Sequence, residues 1–226
     1  MKHYFIHKQN HPRLTLFFAG WGMDEHPFMD YCPEDGDLLI CYDYRSLHFE
    51  YSLLEGYEEI RVVGWSMGVW AAAQVLQHTE FPITESIAVN GTMTPKDNEK
   101  GIPEMIFEGT LKGLNDTGLQ KFRRRMCGSG EAMNVFLENE PQRSLEELRD
   151  ELRLIGEQVS ALPFSKFEWK KAVIGKRDLI FAAVNQWNAW RDTGAEIIEQ
   201  DIPHYSAELL RNIVCRSNVF IQIIKN

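Results

Sequence analysis

Short runs of apolar, β-branched and aromatic residues recur along the chain, separated by polar segments and by stretches with helical spacing. Seven such runs predict β-strands, at residues 3–6, 14–19, 38–42, 60–64, 86–90, 172–175 and 195–200. Helix-like segments at 66–78 and 181–192 lie between strands. Strands that alternate with helices predict right-handed crossovers and a mostly parallel sheet, in which we expect the first two runs to form an antiparallel start.

One long stretch interrupts this alternation, because residues 92–171 contain no convincing strand. Helical periodicity is present in four parts of it, at about 103–114, 119–127, 131–138 and 144–160, and the last part begins with a capping-box pattern at Ser144 and Glu147. We predict one α/β domain over residues 1–226, with this block as a helical cap over the carboxyl ends of the strands, where open α/β sheets bind ligands. Structural helices away from any site are the alternative.

Composition is typical of a globular protein: the 226 residues are 44% hydrophobic and 25% charged. The formal net charge of −9 argues against nucleic acid as the main partner, since phosphate backbones bind basic surfaces. The four cysteines form no CxxC pair, which argues against a zinc ribbon and favours reduced thiols. The N-terminus lacks a signal-like apolar run, and no run reaches the ~18 apolar residues of a membrane span. We therefore expect a cytoplasmic protein.

The segment Gly64-Trp65-Ser66-Met67-Gly68 fits the pattern G-x-S-x-G. This pattern forms a sharp turn from a strand into a helix, and small flanking residues let the serine hydroxyl stand at the edge of the sheet. A buried-strand pattern precedes Ser66 and a helix-like pattern follows it, as the turn requires. Ser66 is therefore the candidate nucleophile, and a structural serine in a glycine turn is the alternative.

A serine nucleophile needs a base, and hydrolases of this architecture carry their residues in the order serine, acid, histidine. Only two of the seven histidines, His78 and His204, follow Ser66. His78 is twelve residues further along the helix that Ser66 begins, which at ~1.5 Å per residue places it ~18 Å away. His204 follows the last predicted strand, so its loop belongs at the carboxyl edge of the sheet. We predict His204 as the base.

Three aspartates are candidates for the acid that orients the histidine. Asp178 leaves the strand 172–175 through a glycine-containing turn, which places its carboxylate at the same sheet edge, and we favour it. Asp201 lies three residues before His204, but the direction of its side chain is open. Asp43 precedes Ser66 in the chain, which breaks the expected order.

The oxyanion of an acyl-transfer intermediate needs two backbone N–H donors. One should come from Met67, directly after the nucleophile. The other should come from the loop that follows the strand 14–19, where Trp21 stands between two glycines that allow the backbone to turn inward. The candidate oxyanion hole therefore consists of the N–H groups of Trp21 and Met67, while the Trp21 indole is free to pack beneath the cap.

Four segments, FFAGWGMD, GWSMGVWAA, GKRDLIF and DIPHYS, together resemble the BioG-type pimeloyl-[acyl-carrier-protein] methyl ester esterases, a branch of the α/β-hydrolase superfamily. The resemblance runs from the first strands to the histidine loop. It implies an α/β-hydrolase fold with Ser66 as nucleophile, Asp178 as acid and His204 as base, and with Trp21 and Met67 as oxyanion donors. Ala19 departs from many hydrolases, which have a histidine before the oxyanion glycine, and so leaves the anchoring of this loop open.

The implied reaction is hydrolysis of the methyl ester of pimeloyl-acyl carrier protein, which frees a carboxylate for biotin precursor synthesis and needs no metal or organic cofactor. Acyl carrier proteins are acidic, so we expect a basic docking surface and propose Arg123, Arg124 and Arg125 for it. A second basic run, at 166–177, leads directly to Asp178. The alternatives are ordinary solvated charges, a general carboxylesterase or thioesterase for small acyl groups, and a catalytically silent binding module. We expect neither nucleic acid nor membrane as a partner.

Overall fold

Seven strands form one sheet in the computed structural model, which describes residues 1–215. The strands are β1 (Lys2–His7), β2 (Arg13–Phe18), β3 (Asp37–Tyr42), β4 (Glu59–Trp65), β5 (Ile83–Val89), β6 (Lys171–Gly175) and β7 (Glu196–Gln200). Their order across the sheet is β1-β3-β2-β4-β5-β6-β7. All seven predicted strands are present, and the mostly parallel sheet is confirmed.

The expected antiparallel start is wrong in its pairing, because β1 does not lie beside β2. β1 pairs antiparallel with β3, in a register that sets Lys2 opposite Tyr42, and β2 lies between β3 and β4 in parallel to both. The burial of the two strands explains this arrangement. β2 is buried at five of its six positions and so has neighbours on both sides, whereas the half-exposed β1 occupies the edge.

Helices cover both faces of the sheet. They are α1 (Met67–Leu76), α2 (Glu104–Lys112), α3 (Asp116–Cys127), α4 (Gly130–Leu137), α5 (Leu145–Ala161), α6 (Ala183–Trp190) and α7 (Ala207–Cys215). The four helices α2–α5 lie between β5 and β6 in the chain, and we call residues 92–170 the helical insertion. The capping box that opens α5 is present, since the Ser144 hydroxyl accepts from the Glu147 N–H and the Glu147 carboxylate accepts from the Ser144 N–H.

Buried side chains form one apolar cluster on each face of the sheet. The insertion joins the first cluster through α5, where Leu148, Leu152 and Ile155 repeat at helical spacing and are almost fully buried. This packing fixes α5 against the loops at the carboxyl ends of β2 and β3. Within residues 1–215, no helix has both the length and the apolar content needed to cross a membrane.

Candidate active site

Ser66 lies in the sharp turn between β4 and α1, at the carboxyl edge of the sheet. Its backbone has φ 59° and ψ −127°, a conformation that non-glycine residues rarely adopt and that often marks a functional turn. A Cβ at Gly68 would lie 2.1 Å from the carbonyl oxygen of Phe18, so only glycine fits at that position. The motif predicted this turn, and its small residues are there because α1 passes close to the end of β2.

His204 lies in the loop after β7, and its Nε2 is 2.9 Å from the Ser66 Oγ. The imidazole is 2% exposed and stacks on the Phe181 ring at an interplanar angle of 7°. The Trp65 indole N–H donates to the His204 carbonyl oxygen at 2.9 Å, which holds the loop next to the strand that carries the serine. The structure therefore brings the predicted nucleophile and base into direct contact.

Asp178 completes the contact, because its Oδ2 lies 2.8 Å from the His204 Nδ1. Its Oδ1 accepts from the N–H groups of Ile180 and Phe181 at 2.7 and 2.9 Å, so the carboxylate is held from both sides. A hydrogen bond from Nδ1 to a carboxylate leaves Nε2 as the acceptor that faces the serine.

The two rival aspartates lie elsewhere in the structure. The Asp201 side chain is 78% exposed and pairs with Arg177 at 2.9 Å. Asp43 is buried and pairs with Arg45 at 2.6 Å and with Arg143 at 3.2 Å. Among the three candidates, Asp178 is the one that contacts His204.

Two amide side chains that sequence reasoning missed support this arrangement. Asn90, at the end of β5, donates to the carbonyl oxygens of Pro203 and His204 at 3.0 and 2.9 Å and accepts from the Gly175 N–H at 2.7 Å. Gln186 in α6 donates to the Asp178 Oδ2 at 3.1 Å. Asn90 had a detectable signal, since it is a polar residue directly after a buried strand, but nothing in the α6 pattern distinguished Gln186.

The predicted oxyanion donors, Trp21 and Met67, both border the space beside Ser66. Neither backbone N–H has a hydrogen-bond partner within residues 1–215. The Trp21 indole N–H donates to the Leu148 carbonyl oxygen at 3.0 Å, so the side chain contacts α5 while the backbone N–H remains available. Both roles expected of this tryptophan are thus compatible.

The space beside Ser66 is narrow and mostly apolar, with a volume of about 30 Å³. Side chains of the insertion and of the loop after β6 form its walls: Ile102, Ile106, Phe107, Phe122, Leu152, Leu179 and Ile180. Ile106, Thr110 and Arg125 border both this space and a larger open groove of about 920 Å³ between α2 and α3. The groove therefore leads from the surface toward the serine.

The three consecutive arginines of α3 differ in their surroundings. Arg123 departs from the expectation of a docking residue, because it is 6% exposed, forms an ion pair with Glu140 and lies over the Phe136 ring. Arg124 and Arg125 are exposed and border the groove, as does Lys121. Successive helix positions are about 100° apart, so three adjacent arginines cannot share one face.

The second basic run does not border the groove as one surface. Lys171 opens β6 at the sheet edge opposite the site and pairs with Glu85 at 2.8 Å. Arg177 lies at the carboxyl edge and is paired with Asp201. The run is divided because β6 carries its two ends to opposite edges of the sheet.

One cluster of metal-ligand side chains is present in the described part of the chain, at Asp24, Glu25 and His26, whose ligand atoms lie within 4.8 Å of one another. Both Asp24 carboxylate oxygens already accept backbone hydrogen bonds, from His26 and Gln142 at 3.0 and 2.6 Å. These contacts explain the cluster as a turn, and we assign no ion to it.

Comparison with known proteins places the chain in a family. A family model described as "Pimeloyl-ACP methyl esterase BioG" matches residues 1–212. The chain belongs to the BioG family. The crystal structure of BioG from Haemophilus influenzae superimposes with a TM-score of 0.85 at 35% sequence identity, covering 92% of this chain and 96% of that one. The family relationship supports a hydrolase with an esterase role.

Other relatives extend the comparison. A Bacteroides fragilis protein named malonyl-[acyl-carrier protein] O-methyltransferase is 58% identical over 196 residues, which are 87% of this chain but 40% of that protein, so the BioG-like chain spans less than half of that relative. An esterase from Exiguobacterium antarcticum superimposes over 99% of this chain and 95% of that one, with a TM-score of 0.68 at 10% identity. The second likeness shows the fold alone, and it confirms the α/β-hydrolase architecture.

Proposed function

We propose that this protein is a serine carboxylesterase that hydrolyses the methyl ester of pimeloyl-acyl carrier protein, with Ser66, His204 and Asp178 as its catalytic triad. The observation that carries the proposal is the chain of hydrogen bonds from Ser66 Oγ to His204 Nε2 at 2.9 Å and from His204 Nδ1 to Asp178 Oδ2 at 2.8 Å. A serine hydroxyl is a weak nucleophile until such a base accepts its proton.

In the proposed reaction, the Ser66 Oγ attacks the ester carbonyl carbon while its proton passes to the His204 Nε2. The N–H groups of Trp21 and Met67 donate to the oxyanion of the tetrahedral intermediate. His204 then gives the proton to the leaving methoxide, and methanol departs from the acyl-enzyme. A water molecule, deprotonated by His204, attacks the acyl-enzyme and releases the free carboxylate and the Ser66 hydroxyl. Asp178 stays ionised and stabilises the imidazolium in both halves.

The walls of the site support an acyl substrate. Apolar side chains from α2, α3 and α5 surround the space beside Ser66, as an alkyl chain requires. That space, about 30 Å³, is far below the ~300–1,000 Å³ of a typical ligand site, so we infer that substrate binding displaces side chains of the insertion or of the loop after β6. Ile106 and Leu179 are the candidates, since both border the space and are 46% and 62% exposed.

Support for a carrier-bound substrate comes from the groove and its charges. Lys121, Arg124 and Arg125 border the groove together with one acidic residue, Asp116, so a protein of net charge −9 presents a surplus of basic groups beside its site. Arginine suits a phosphate group because its planar fork donates to two oxygens at once. The family description names a pimeloyl-carrier methyl ester, and the methyltransferase named above would form the same type of bond that this esterase would cleave.

Hydrolysis assays with purified protein test the proposal. Pimeloyl-carrier methyl ester should be converted to the free acid, which mass spectrometry detects as the loss of one CH₂ from the carrier. A general esterase would instead prefer small esters such as p-nitrophenyl butyrate, and a thioesterase would release the acyl chain from the carrier. A silent binding module would hydrolyse none of these and would leave Ser66 unlabelled by a fluorophosphonate. Growth of an esterase-deficient strain without biotin provides the corresponding test in cells.

A further inference from the structure

The buried carboxylate of Glu151, in α5 of the helical insertion, faces three hydrogen-bond donors. Its Oε2 accepts from the Gly22 N–H at 3.2 Å and from the Arg143 guanidinium at 2.6 Å, and its Oε1 accepts from the Tyr44 N–H at 2.8 Å. The Glu151 side chain is fully buried and the Arg143 side chain is 3% exposed. Burying a carboxylate without partners destabilises the folded state, so these three donors are needed to keep Glu151 in this position.

The contacts of Glu151 converge on the loop after β2, which carries the proposed oxyanion donor Trp21. Gly22 directly follows Trp21 and has φ +78°, so its backbone alone restricts the loop little. The same loop is held by the Tyr44 hydroxyl, which donates to the Ala19 carbonyl oxygen at 2.6 Å. Glu151 contacts Tyr44 and Gly22 together, and thereby joins the loops that follow β2 and β3 to one helix.

We propose that Glu151 is a positioning residue for the oxyanion hole: through the Gly22 and Tyr44 N–H groups it sets the Trp21 N–H toward the carbonyl oxygen of the substrate. The inference rests on the proposed esterase function. Ala19 occupies the place where many hydrolases have a histidine next to the oxyanion glycine, and in this protein a carboxylate from the insertion supplies the anchor instead. The helix α5 then contributes both to the walls of the substrate site and to the position of the oxyanion hole.

Burial raises the pKa of Glu151, and the Arg143 guanidinium and the Tyr44 N–H offset only part of that rise. The ionised form is supported by geometry, since three donors face the two carboxylate oxygens and a carboxyl proton would meet one of them. Arg143 also lies 3.2 Å from Asp43, which in turn pairs with Arg45, and Arg45 and Lys2 both pair with Glu147, so three acidic and three basic side chains form this cluster. An ionised carboxylate accepts from all three donors at once, which a neutral amide cannot do.

The variant Glu151→Gln tests the proposal because it keeps the shape and replaces one acceptor oxygen with an NH₂ group. We expect kcat for p-nitrophenyl butyrate to fall roughly 10-fold with KM changed less than about 2-fold, since removal of an entire oxyanion donor costs about 10²-fold to 10³-fold. The rate of Ser66 phosphonylation by an uncharged fluorophosphonate should fall in parallel. The measurements are made well below the melting temperature of the variant.

Asp37→Asn is the matched control. Asp37 is also a fully buried carboxylate, and it accepts from the Gln9 N–H at 2.7 Å and the Tyr57 hydroxyl at 2.8 Å, but it lies at the opposite edge of the sheet. We expect it to lower the melting temperature as Glu151→Gln does, with wild-type kcat. If Glu151→Gln also keeps wild-type kcat and loses only stability, the positioning role is wrong.

Glu151→Asp covers the case in which Glu151→Gln does not fold. It keeps the charge and both acceptor oxygens but shortens the side chain by one CH₂, which draws the carboxylate away from the Gly22 and Tyr44 N–H groups and should lower kcat without raising KM. Wild-type kcat in Glu151→Asp, with Glu151→Gln unfolded, would reduce Glu151 to a structural residue and overturn the inference. A wild-type protein that hydrolyses no ester contradicts the proposed function itself, whereas an active wild type with an equally active Glu151→Gln contradicts the positioning role alone.

Discussion

The sheet and the helical insertion build the site in different ways. Ser66, Asp178 and His204 follow strands β4, β6 and β7, and hydrogen bonds of 2.8 and 2.9 Å join them. The insertion supplies the apolar walls, the groove and the buried Glu151. Strand register fixes the first group, because the carboxyl ends of parallel strands meet at one edge. We infer from this contrast that the sheet carries the reacting groups, whereas the insertion selects the substrate and, through Glu151, positions the oxyanion loop.

Within the insertion, α5 and α3 differ in a similar way, since α5 packs against the loops of the site and α3 faces the open groove. α5 is attached to the loops that follow β2 and β3 by the buried contacts of Leu148 and Glu151. α3 places Arg124 and Arg125 on the groove, while the buried Arg123 pairs with the partly exposed Glu140. One helix is therefore suited to hold the reaction geometry, and the other to contact a partner.

The largest expected effect belongs to the sheet. Ser66→Ala and His204→Ala should each lower kcat by about 10⁴-fold or more on carrier-bound and small esters alike, because nucleophile and base act as one unit. Circular dichroism should show an unchanged fold. Equal losses on both substrates would support the division between sheet and insertion, and a loss confined to one substrate would break it.

Asp178→Asn should have the next largest effect, a kcat lowered by about 10³-fold to 10⁴-fold, because an amide no longer holds the imidazole in the required tautomer. Asp201→Asn is the control, since this exposed side chain pairs with Arg177 and does not contact His204. Steady-state kinetics on a small ester compare the two variants. A greater loss of kcat in Asp201→Asn than in Asp178→Asn would show that Asp178 is not the acid.

A substrate-dependent effect is expected from the insertion. Charge reversal at Lys121 and Arg124, which border the groove but not the space beside Ser66, should raise KM for carrier-bound ester by about 10-fold, and less at high salt, because exposed charges are screened. Turnover of p-nitrophenyl butyrate should stay near the wild-type value. Arg123→Gln should instead lower stability through the lost Glu140 pair, without a salt-dependent change in KM. Equal losses on both substrates in the double variant would contradict a docking role.

The smallest effect concerns stability in acid and leaves the site unchanged. Burial alone would raise the pKa of Asp37, but hydrogen bonds from Gln9 and Tyr57 outweigh it and hold that pKa below its ordinary value. A lowered pKa stabilises the folded state above the unfolded-state pKa of about 3.9, and this contribution disappears as the pH falls through the lower folded value. Urea unfolding between pH 5 and pH 3 should therefore lose less free energy in Asp37→Asn than in wild type. An identical pH dependence in both proteins would contradict the assignment.

The parallel sheet and the proximity of Ser66, His204 and Asp178 could be predicted from the sequence because both follow from local patterns combined with chain order. Ser66 is identified by its turn, and His204 is selected because it alone follows the serine within reach. The edge position of β1 was missed, since strand order depends on which strands are buried on both faces. β1 and its partner β3 lie far apart in the chain, so a local pattern does not reveal their pairing.

The parts that the sequence could not predict depend on long-range polar contacts. Glu151 reads as one more charge on an amphipathic helix, and its burial becomes evident only when α5 packs against the loops at Gly22 and Tyr44. Arg123 and Arg124 have identical side chains in adjacent positions, and only the helix orientation separates them. Such residues require the three-dimensional arrangement of the insertion.

The most direct test of the central claim is mass spectrometry of acid-quenched reactions with pimeloyl-carrier methyl ester. The account predicts a transient covalent adduct, equal to the protein plus the acylated carrier minus methanol, that maps to Ser66 and precedes the free acid. In Ser66→Ala, both the adduct and the product should be absent. Formation of the free acid at the same rate in wild type and Ser66→Ala, or an intact methyl ester after prolonged incubation with wild type, would contradict it.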